Sequence, residues 1–502
     1  MIYLLSLVIP IFSFFFQAYP RLINKYFGVD VWKRMIEIDL VRKNKHRIPM
    51  NIVHDGSLIE GYFDNPPVFP WLLSFIPKKT LQEIQGLIAP FFDSIQNFIV
   101  FFIVYQLTDQ LLPSLFAQVI YASIPLIVLE NSYLTPRSLG YLNFTLAFYP
   151  LVFYSLNQQF IYLVISYIAA SFIFLTHRFA TQSFLFIIII FSFIDKTLIY
   201  LLVFLLALLT ALITTKGYYL RVLEGHLFII YFWTKNLKYR FAHQIRGLDE
   251  EKKKMDFVNL VYFLLSKFSP ITLIATNIWL LIPLFLFFTI FANYSFLLSF
   301  NQELVFKLSL WVVFFYTLSF LVLSIKYLMP IGEGQRYLEM ATIPSAILSS
   351  LFFFEYLDSE FRNILVTVYS LFFVFNISVI IFSQWKGVIK DKNRTLTKDM
   401  DKIFRFINNY KEKPRVLCIP HQLCGMILYN TRAKVLSDTQ LKGALKIKDI
   451  YPILRAPIKQ ISKKYNLNLL VLKKTYTTYK ELHLKKEDLL IESEDTQIFR
   501  IR

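Results

Sequence analysis

The feature that most constrains this chain is the recurrence of apolar segments long enough to cross a membrane. A helix needs about 20 apolar residues to cross the hydrocarbon core of a bilayer, and segments of that kind recur as far as residue 385. We count about eleven of them, at 1–18, 90–107, 112–129, 139–156, 160–175, 179–194, 198–214, 270–292, 304–328, 341–354 and 364–383. The chain is also 56% hydrophobic, which an ordinary soluble domain of this size does not tolerate. The sequence therefore predicts an all-α, polytopic protein of the cell membrane.

The start of the chain, 1–16, is apolar but lacks a positively charged leader and a small-residue cleavage site. We therefore interpret it as the first span and not as a signal peptide.

The charges of this chain are few but unbalanced. Lys and Arg number 53 against 34 Asp and Glu, which gives a formal net charge of +19. The cations collect in the loops and the tail, where they suit anionic headgroups, lipid phosphates or phosphosugars. No basic helix with interleaved base-reading residues stands apart from the spans, so we expect no nucleic-acid partner.

Three polar regions interrupt or follow the spans, namely a first loop at 19–89, a basic stretch at 216–267 and a tail at 386–502. In the basic stretch, apolar residues interleaved with Lys and Arg favour helices lying in the membrane interface, with a solvated linker as the alternative. The tail alternates short apolar runs, 416–419 and 469–472, with polar stretches. We predict one transmembrane domain, 1–385, followed by a small α/β domain, 386–502.

The tail contains two cysteines, Cys418 and Cys424. They are too few for a disulfide scaffold and have the wrong pattern for zinc, so we interpret them as small core residues. The tail also lacks a glycine-rich phosphate-binding motif, so nucleotide binding has no support.

Two acids of the first loop are candidates for chemistry. Asp30 follows the first span almost at once, where an ionised carboxylate is costly unless it is paired or used. Its alternative role is the N-cap of a helix at 31–40, and the residues alone favour neither role. Asp64 opens the stiff Asp64-Asn65-Pro66-Pro67 turn, which leads into an apolar helix ending in Leu72-Leu73-Ser74.

Three arginines could hold a phosphate, because a guanidinium offers a fork of donors matched to phosphate oxygens. They are Arg137 in Thr135-Pro136-Arg137, Arg178 in Thr176-His177-Arg178, and Arg336 in Gly332-Glu333-Gly334-Gln335-Arg336-Tyr337. A single arginine of this kind would more simply be explained as a long side chain that extends its charge to the membrane interface. Three on one predicted face favour phosphate binding.

Two further residues have open roles. His177 could carry a proton or a metal ion, although a lone His in a polar turn more often makes structural hydrogen bonds. Glu130 ends the third span and could join Asp30 around a divalent cation. For Glu130 we favour the simpler interpretation, a charge at the boundary of a loop.

The first loop resembles that of the GT-C superfamily of membrane glycosyltransferases, which includes protein O-mannosyltransferases, the lipid A aminoarabinose transferase and the oligosaccharyltransferase catalytic subunit. The resemblance consists of an acid just past the first span, then a Tyr-x-x-x-Pro-Pro segment leading into Leu-Leu-Ser. The turn from Gly332 to Tyr337 is also similar to a Gly-x-x-x-Arg-Tyr turn of bacterial and archaeal members. By position, Asp30 matches the acid that acts as base or orients the acceptor. The tail departs from the oligosaccharyltransferase pattern, because it has no Trp-Trp-Asp-like acceptor motif.

The resemblance implies inverting transfer of one sugar from a polyprenyl-phosphate donor to a glycan, lipid or protein acceptor. In that scheme Asp30 is catalytic, no cofactor is certain and a divalent cation stays open. The substrate-binding residues would be Asp64, Arg137, His177, Arg178, Arg336 and Tyr337.

The resemblance also implies that the polar regions and the active site face outward from the cell membrane. The positive-inside rule opposes this orientation, because the same face carries nearly all the Lys and Arg. The rival function is a transporter or flippase for an anionic lipid or solute, marked by ionisable groups buried mid-span and by broken helices in matching halves. The spans are nearly charge-free and show no matching halves. A membrane anchor whose tail binds partners is a third class.

Overall fold

The computed structural model describes residues 2–49, 56–59, 63–240, 242–247, 271–292, 301–392, 394–437 and 446–502. Tyr62 of the Tyr-x-x-x-Pro-Pro segment, and residues 241 and 248–267 of the basic stretch, lie outside the described residues. The first twelve helices, in chain order, are α1 (Ile2–Ile23), α2 (Asp30–Lys43), α3 (Val68–Ser74), α4 (Lys78–Ile84), α5 (Ile88–Thr108), α6 (Leu111–Ala122), α7 (Pro125–Glu130), α8 (Arg137–Asn157), α9 (Phe160–Thr176), α10 (Arg178–Ile194), α11 (Ile199–Thr214) and α12 (Tyr218–Lys235).

The remaining helices are α13 (Ile271–Thr276), α14 (Leu281–Phe291), α15 (Gln302–Ser324), α16 (Gln335–Leu338), α17 (Thr342–Tyr356), α18 (Arg362–Gln384), α19 (Met400–Asn409), α20 (Leu423–Asn430) and α21 (Ile458–Tyr465). The strands are β1 (Arg415–Ile419), β2 (Lys434–Val435), β3 (Leu469–Lys473), β4 (Leu489–Glu492) and β5 (Thr496–Arg500).

The apolar helices coincide with the segments that the sequence predicts, but fewer of them are long enough to cross a membrane. Among the described residues six stretches qualify by length and composition, or seven if α11 and α12 count as one bent span. Four apolar helices are shorter, namely α6, α9, α10 and Ile278–Phe291. The predicted count of about eleven is therefore not confirmed. Segment 112–129 shows one reason, because it breaks between α6 and α7 at Pro125, a residue that favours the first turn of a helix.

The chain divides into two compact units, which we describe separately. The helical unit comprises Met1–Lys25, Ile84–Tyr219 and Met255–Lys390, and the sheet unit comprises Tyr26–Glu83, Leu220–Lys254 and Asp391–Arg502. The predicted domain border at residue 385 lies close to the end of the helical unit. The sheet unit also includes chain from the predicted first loop and basic stretch.

In the helical unit, α1 has its polarity reversed relative to a helix of a soluble protein. Ser6, Ser13 and Gln17 are fully buried, whereas Leu4 is 72% exposed and Phe12 is 66% exposed. Apolar side chains on the outside and polar ones on the inside are what a lipid environment favours. This pattern agrees with the prediction of a membrane protein.

Several ionisable side chains lie buried inside apolar helices, Asp93 and Lys307 among them, so the spans are less free of charge than the sequence suggests. Both carboxylate oxygens of Asp93 in α5 accept hydrogen bonds, one from Gln17 and one from Tyr121. Lys307 in α15 donates to Ser155 at 2.8 Å and contacts Asp195 at 3.1 Å and Glu303 at 2.9 Å.

The sheet unit is built on a five-stranded sheet of order β2-β1-β3-β5-β4, in which β1 pairs in parallel with β2 and β3. Strands β3 and β5, and β5 and β4, are antiparallel. Because successive side chains of a strand point to opposite faces, Val416 and Cys418 belong to one buried cluster and Leu417 and Ile419 to the other. The predicted runs 416–419 and 469–472 are thus paired neighbours at the centre of the sheet.

Helix α20 packs closely against α2 in this unit. A Cβ atom on Gly425 would lie 3.5 Å from the backbone nitrogen of Lys33, and the Trp32 side chain is part of the core beneath the sheet. This contact fixes the helix that begins with Asp30.

Candidate functional site

Asp30 is the first residue of α2 and its side chain is exposed. Val29 precedes it as the N-cap and makes no capping hydrogen bond through its side chain. In the part of the chain that the structure describes, the Asp30 carboxylate has no hydrogen-bond partner within the protein. The alternative role as N-cap is therefore not what the structure shows, and the carboxylate is accessible.

Arg34 lies one helical turn after Asp30 and interacts with the nearby acids of the sheet unit. It donates to Glu37 at 2.8 Å, and Asn65 donates to the same Glu37. Burial disfavours the Arg34 charge, but the carboxylates of Glu37, Asp30 and Asp64 outweigh it and raise the pKa of Arg34. The two first-loop acids predicted from the sequence are thus neighbours of one guanidinium.

Asp64 differs from Asp30 in exposure, since it is only 3% exposed. It lies in the turn that leads into α3, where Pro66 and Pro67 restrict the backbone. A buried carboxylate needs partners, and Arg34 is one of them. Arg34 and Glu37 were not among the residues predicted from the sequence. The i, i+4 spacing from Asp30 to Arg34 and the i, i+3 spacing from Arg34 to Glu37 could have indicated these ion pairs.

Tyr451 is a further neighbour of Asp30 that the sequence did not indicate. Burial raises the pKa of the Tyr451 phenol to about 12, with Arg240 lowering it and Asp30 raising it. The phenol therefore stays protonated at neutral pH.

Arg137 in the helical unit is held between two carboxylates. It bonds to Glu130 at the end of α7 and contacts Glu339 at 3.5 Å, and its side chain is only 4% exposed. Tyr133 donates a further hydrogen bond to Glu130 at 3.0 Å. The positive charge of Arg137 is therefore balanced inside the protein, and Glu130 is a partner of Arg137.

Arg336 is more accessible, with 32% of its side chain exposed, and it donates to Glu333 at 3.0 Å. Its turn depends on glycine at two positions. Gly332 has φ +154°, and a Cβ there would lie 2.4 Å from the Phe179 ring, while a Cβ on Gly334 would lie 2.6 Å from the carbonyl oxygen of Ser319. Only glycine lets this turn pack so closely against α10 and α15.

The Arg336 guanidinium interacts electrostatically with Glu333 and Glu339 and with the phenols of Tyr133 and Tyr141. Glu339 also contacts Arg137. The helical unit thus brings together two of the three segments that contain the candidate arginines, those of Arg137 and Arg336, around one cluster of arginines and carboxylates.

The third turn contains His177 and Arg178. His177 is the N-cap of α10, where its Nδ1 atom accepts from the backbone N–H of Ala180 at 3.3 Å. A Cβ on Gly140 would lie 2.4 Å from the Cβ of His177, so glycine in α8 permits the close approach of this turn. His177 therefore has the structural hydrogen-bonding role that was its alternative. Arg178 is half-buried.

Tyr337 joins this turn to the 330–340 turn. Its hydroxyl accepts from Gln182 at 2.9 Å and donates to the carbonyl of Ile331 at 3.1 Å. Its ring packs 4.4 Å from that of Phe179. Tyr337 is fully buried, so it holds the Arg336 turn in place.

Within the described residues, no group of three or more His, Cys, Asp or Glu side chains could hold a metal ion. Cys418 and Cys424 are buried and form no disulfide within the described residues, as expected of core residues.

No protein-family model matches this chain, and no curated protein sequence matches it either. Solved structures do. The archaeal oligosaccharyltransferase AglB from Archaeoglobus fulgidus, in complex with an inhibitory peptide and a dolichol-phosphate, is similar with a TM-score of 0.58 and 12% identity, over 95% of this chain and 70% of that one. ArnT from Cupriavidus metallidurans, bound to undecaprenyl phosphate, is similar with a TM-score of 0.53 and 11% identity, over 99% of this chain and 98% of that one. The chain therefore has the fold of these two proteins.

Proposed function

We propose that this chain, which has a GT-C fold, is a multi-pass membrane glycosyltransferase that moves a sugar from a polyprenyl-phosphate donor to an acceptor at the outer face of the cell membrane. The observation that carries the proposal is an exposed acid, Asp30, just past the first apolar helix of this fold. The fold itself is shared with two proteins crystallised with dolichol-phosphate and undecaprenyl phosphate.

Asp30 is the general base of the proposed reaction. Its exposed carboxylate takes the proton of the acceptor hydroxyl as the oxygen attacks the anomeric carbon. Attack from the side opposite the phosphate in a single displacement inverts that carbon. Arg34 keeps positive charge beside Asp30 and Asp64, and buried Asp64 orients the acceptor.

Arg336 and Arg178 are the proposed ligands of the donor phosphate. Negative charge grows on the leaving phosphate in the transition state, so a guanidinium placed there stabilises that state more than the ground state. Arg336 has one carboxylate contact and a third of its side chain exposed, so it can exchange Glu333 for a phosphate. Arg137, His177 and Tyr337 shape the same site through the buried contacts described above.

Transport is the weaker proposal, because the buried ionisable groups of the helical unit are held in place. Each oxygen of Asp93 accepts a hydrogen bond, and Lys307 has an acceptor for each of its three N–H groups, in Ser155, Asp195 and Glu303. A transported proton or ion requires groups that exchange partners.

The test is a transfer assay with the detergent-purified chain. It would receive polyprenyl-phosphate donors carrying radiolabelled hexoses or pentoses, together with an extract of cell-envelope lipids and glycans. We expect label to leave the polyprenyl lipid for a new product in at least one donor reaction. If instead the intact labelled lipid crosses reconstituted vesicles without cleavage, the chain is a flippase and the proposal is wrong.

A further inference from the structure

We propose that the acceptor is an anionic saccharide, and that it binds a surface formed by Trp233, Tyr239, Arg240, Tyr451 and Arg455. We call this the aromatic–arginine surface. The inference rests on the proposed function, because it names the acceptor of the same reaction. All five residues belong to the sheet unit.

The aromatic–arginine surface combines two sets of contacts between rings and guanidinium groups, which meet where Tyr239 precedes Arg240 in the chain. The Tyr451 ring stacks on Phe232 at 5.8 Å and meets Trp233 edge-on at 6.2 Å. The guanidinium of Arg240 lies 5.9 Å from the Trp233 ring centre, and that of Arg455 lies 5.7 Å from the Tyr239 ring centre.

Trp233, Tyr239 and Tyr451 are half-buried, so part of each side chain is exposed to solvent. The C–H groups of a sugar ring carry partial positive charge, and the negative face of an aromatic ring attracts them. Aromatic side chains with a few well-placed polar groups are the usual lining of small-ligand sites.

The arginines specify an anionic ligand. Arg455 is exposed and donates only a long hydrogen bond, 3.4 Å, to Asn236. Among the described residues it has no carboxylate partner, in contrast to Arg34 with Glu37 and Arg246 with Glu481. A guanidinium without a carboxylate offers its donors to a phosphate or carboxylate group of a ligand.

The position of Tyr451 links the aromatic–arginine surface to the proposed base. Its phenol interacts electrostatically with both Asp30 and Arg240. Tyr451 therefore belongs both to the aromatic–arginine surface and to the electrostatic surroundings of the proposed base.

The edge of the sheet next to this surface is already occupied by the chain itself. Ligands of open α/β sheets usually bind beyond the carboxyl ends of parallel strands. Just after β1, the backbone N–H of His421 donates to Gln244 at 3.0 Å, and Gln244 donates to Ile450 at 2.9 Å. Gln244 thus fills this position, and the neighbouring aromatic–arginine surface is the accessible alternative.

The test is equilibrium binding of two probes to the full chain in detergent. The anionic probe is a sulfated dextran oligosaccharide and the neutral probe is the unsulfated oligosaccharide of the same length. We expect tighter binding of the sulfated probe, and about tenfold weaker binding of it by Arg455→Gln, since an arginine–anion hydrogen bond contributes roughly that factor. Arg432→Gln is the matched control, because Arg432 is also an exposed arginine of the sheet unit. Arg432 donates to the backbone carbonyl of Tyr410.

Equal loss of binding in Arg455→Gln and Arg432→Gln, or no preference for the sulfated probe, would overturn the inference. A transfer assay with the unaltered chain separates this inference from the proposed function. If the sulfated probe binds as expected but no sugar is transferred by the unaltered chain, the surface stands and the glycosyltransferase proposal is wrong. If sugar is transferred but the two arginine variants bind the probe alike, the transferase stands and the surface is wrong.

Discussion

Arg336 donates to Glu333 at 3.0 Å across a single turn of chain, and the two side chains are 32% and 29% exposed. Arg137 has the opposite setting, with a 4% exposed side chain between two carboxylates. Water can reach the first pair and weaken it, whereas the second is sealed from solvent. We therefore expect the two arginines to respond differently to substitution, Arg336 in activity and Arg137 in stability.

Arg336→Lys should reduce sugar transfer by about tenfold to a hundredfold, because lysine keeps the charge but loses the two-pronged guanidinium geometry. The measurement is the initial rate of label release from the polyprenyl-phosphate donor. Arg394→Lys is the matched control, since Arg394 also pairs with an acid three residues earlier, Asp391. An unchanged rate in Arg336→Lys would leave Arg336 as an arginine that only pairs with Glu333.

Asp30→Asn should lower the transfer rate by about a hundredfold to ten-thousandfold, the usual effect of losing a general base. Its effect on the thermal unfolding temperature should be small, because the Asp30 side chain is exposed. Asp401→Asn is the control, because Asp401 is also an exposed acid in the first turn of a helix. Near-native transfer by Asp30→Asn would assign the base to another first-loop acid, Asp64 first.

Asp39 would be a poor control for Asp30→Asn, although its place in the sequence alone suggests a carboxylate that is exposed to solvent. The structure gives it two ion pairs, with Arg42 and with Lys78 at 3.1 Å, and its side chain is 16% exposed. Asp39→Asn would therefore disturb the packing of α2 as well as remove a charge.

Arg137→Gln should destabilise the protein by about 3–5 kcal/mol, because it leaves the buried carboxylates of Glu130 and Glu339 without their cation. Thermal unfolding in detergent measures this effect. The comparison variant is Arg362→Gln at the exposed start of α18, where we expect a change within about 0.5 kcal/mol. Equal effects of the two variants would show that the Arg137 contacts add no net stability.

The first loop and the tail should lie on the same, non-cytoplasmic side of the membrane. The expectation rests on the span count predicted from the sequence, which places an even number of crossings, about ten, between them. Topology reporters fused after Lys79 and after Lys390 would measure it. A cytoplasmic signal from either fusion would favour the orientation given by the positive-inside rule and exclude an outward active site.

Cys418 and Cys424 should react slowly with alkylating reagents in the folded protein. Both are buried, and burial together with the neighbouring Cys424 raises the pKa of the Cys418 thiol. A raised pKa lowers the thiolate fraction at pH 8, so the labelling rate should still increase above pH 9, where an exposed thiol with a pKa of about 8.5 levels off. An exposed thiol introduced as Lys411→Cys is the reference, and rapid labelling of the unaltered chain at pH 8 would contradict the buried setting.

The sequence by itself indicated the apolar helices, the central strands β1 and β3, and the acids and arginines worth testing. These features are local, because helical patterns, strand patterns and turns depend on residues that are close together in the chain. Its count of about eleven spans is not confirmed, and composition does not show that Pro125 starts a new helix between α6 and α7.

Only the tertiary structure decided which charges are paired and which are accessible. Arg137 meets Glu339 across 202 residues of chain, and Gln244 reaches the end of β1 to bond with His421. Such contacts depend on how distant segments pack, and a side chain's exposure and partners are consequences of that packing. Three arginines that look alike in the sequence therefore have different surroundings, and the one most available to a ligand phosphate could be chosen only from the folded chain.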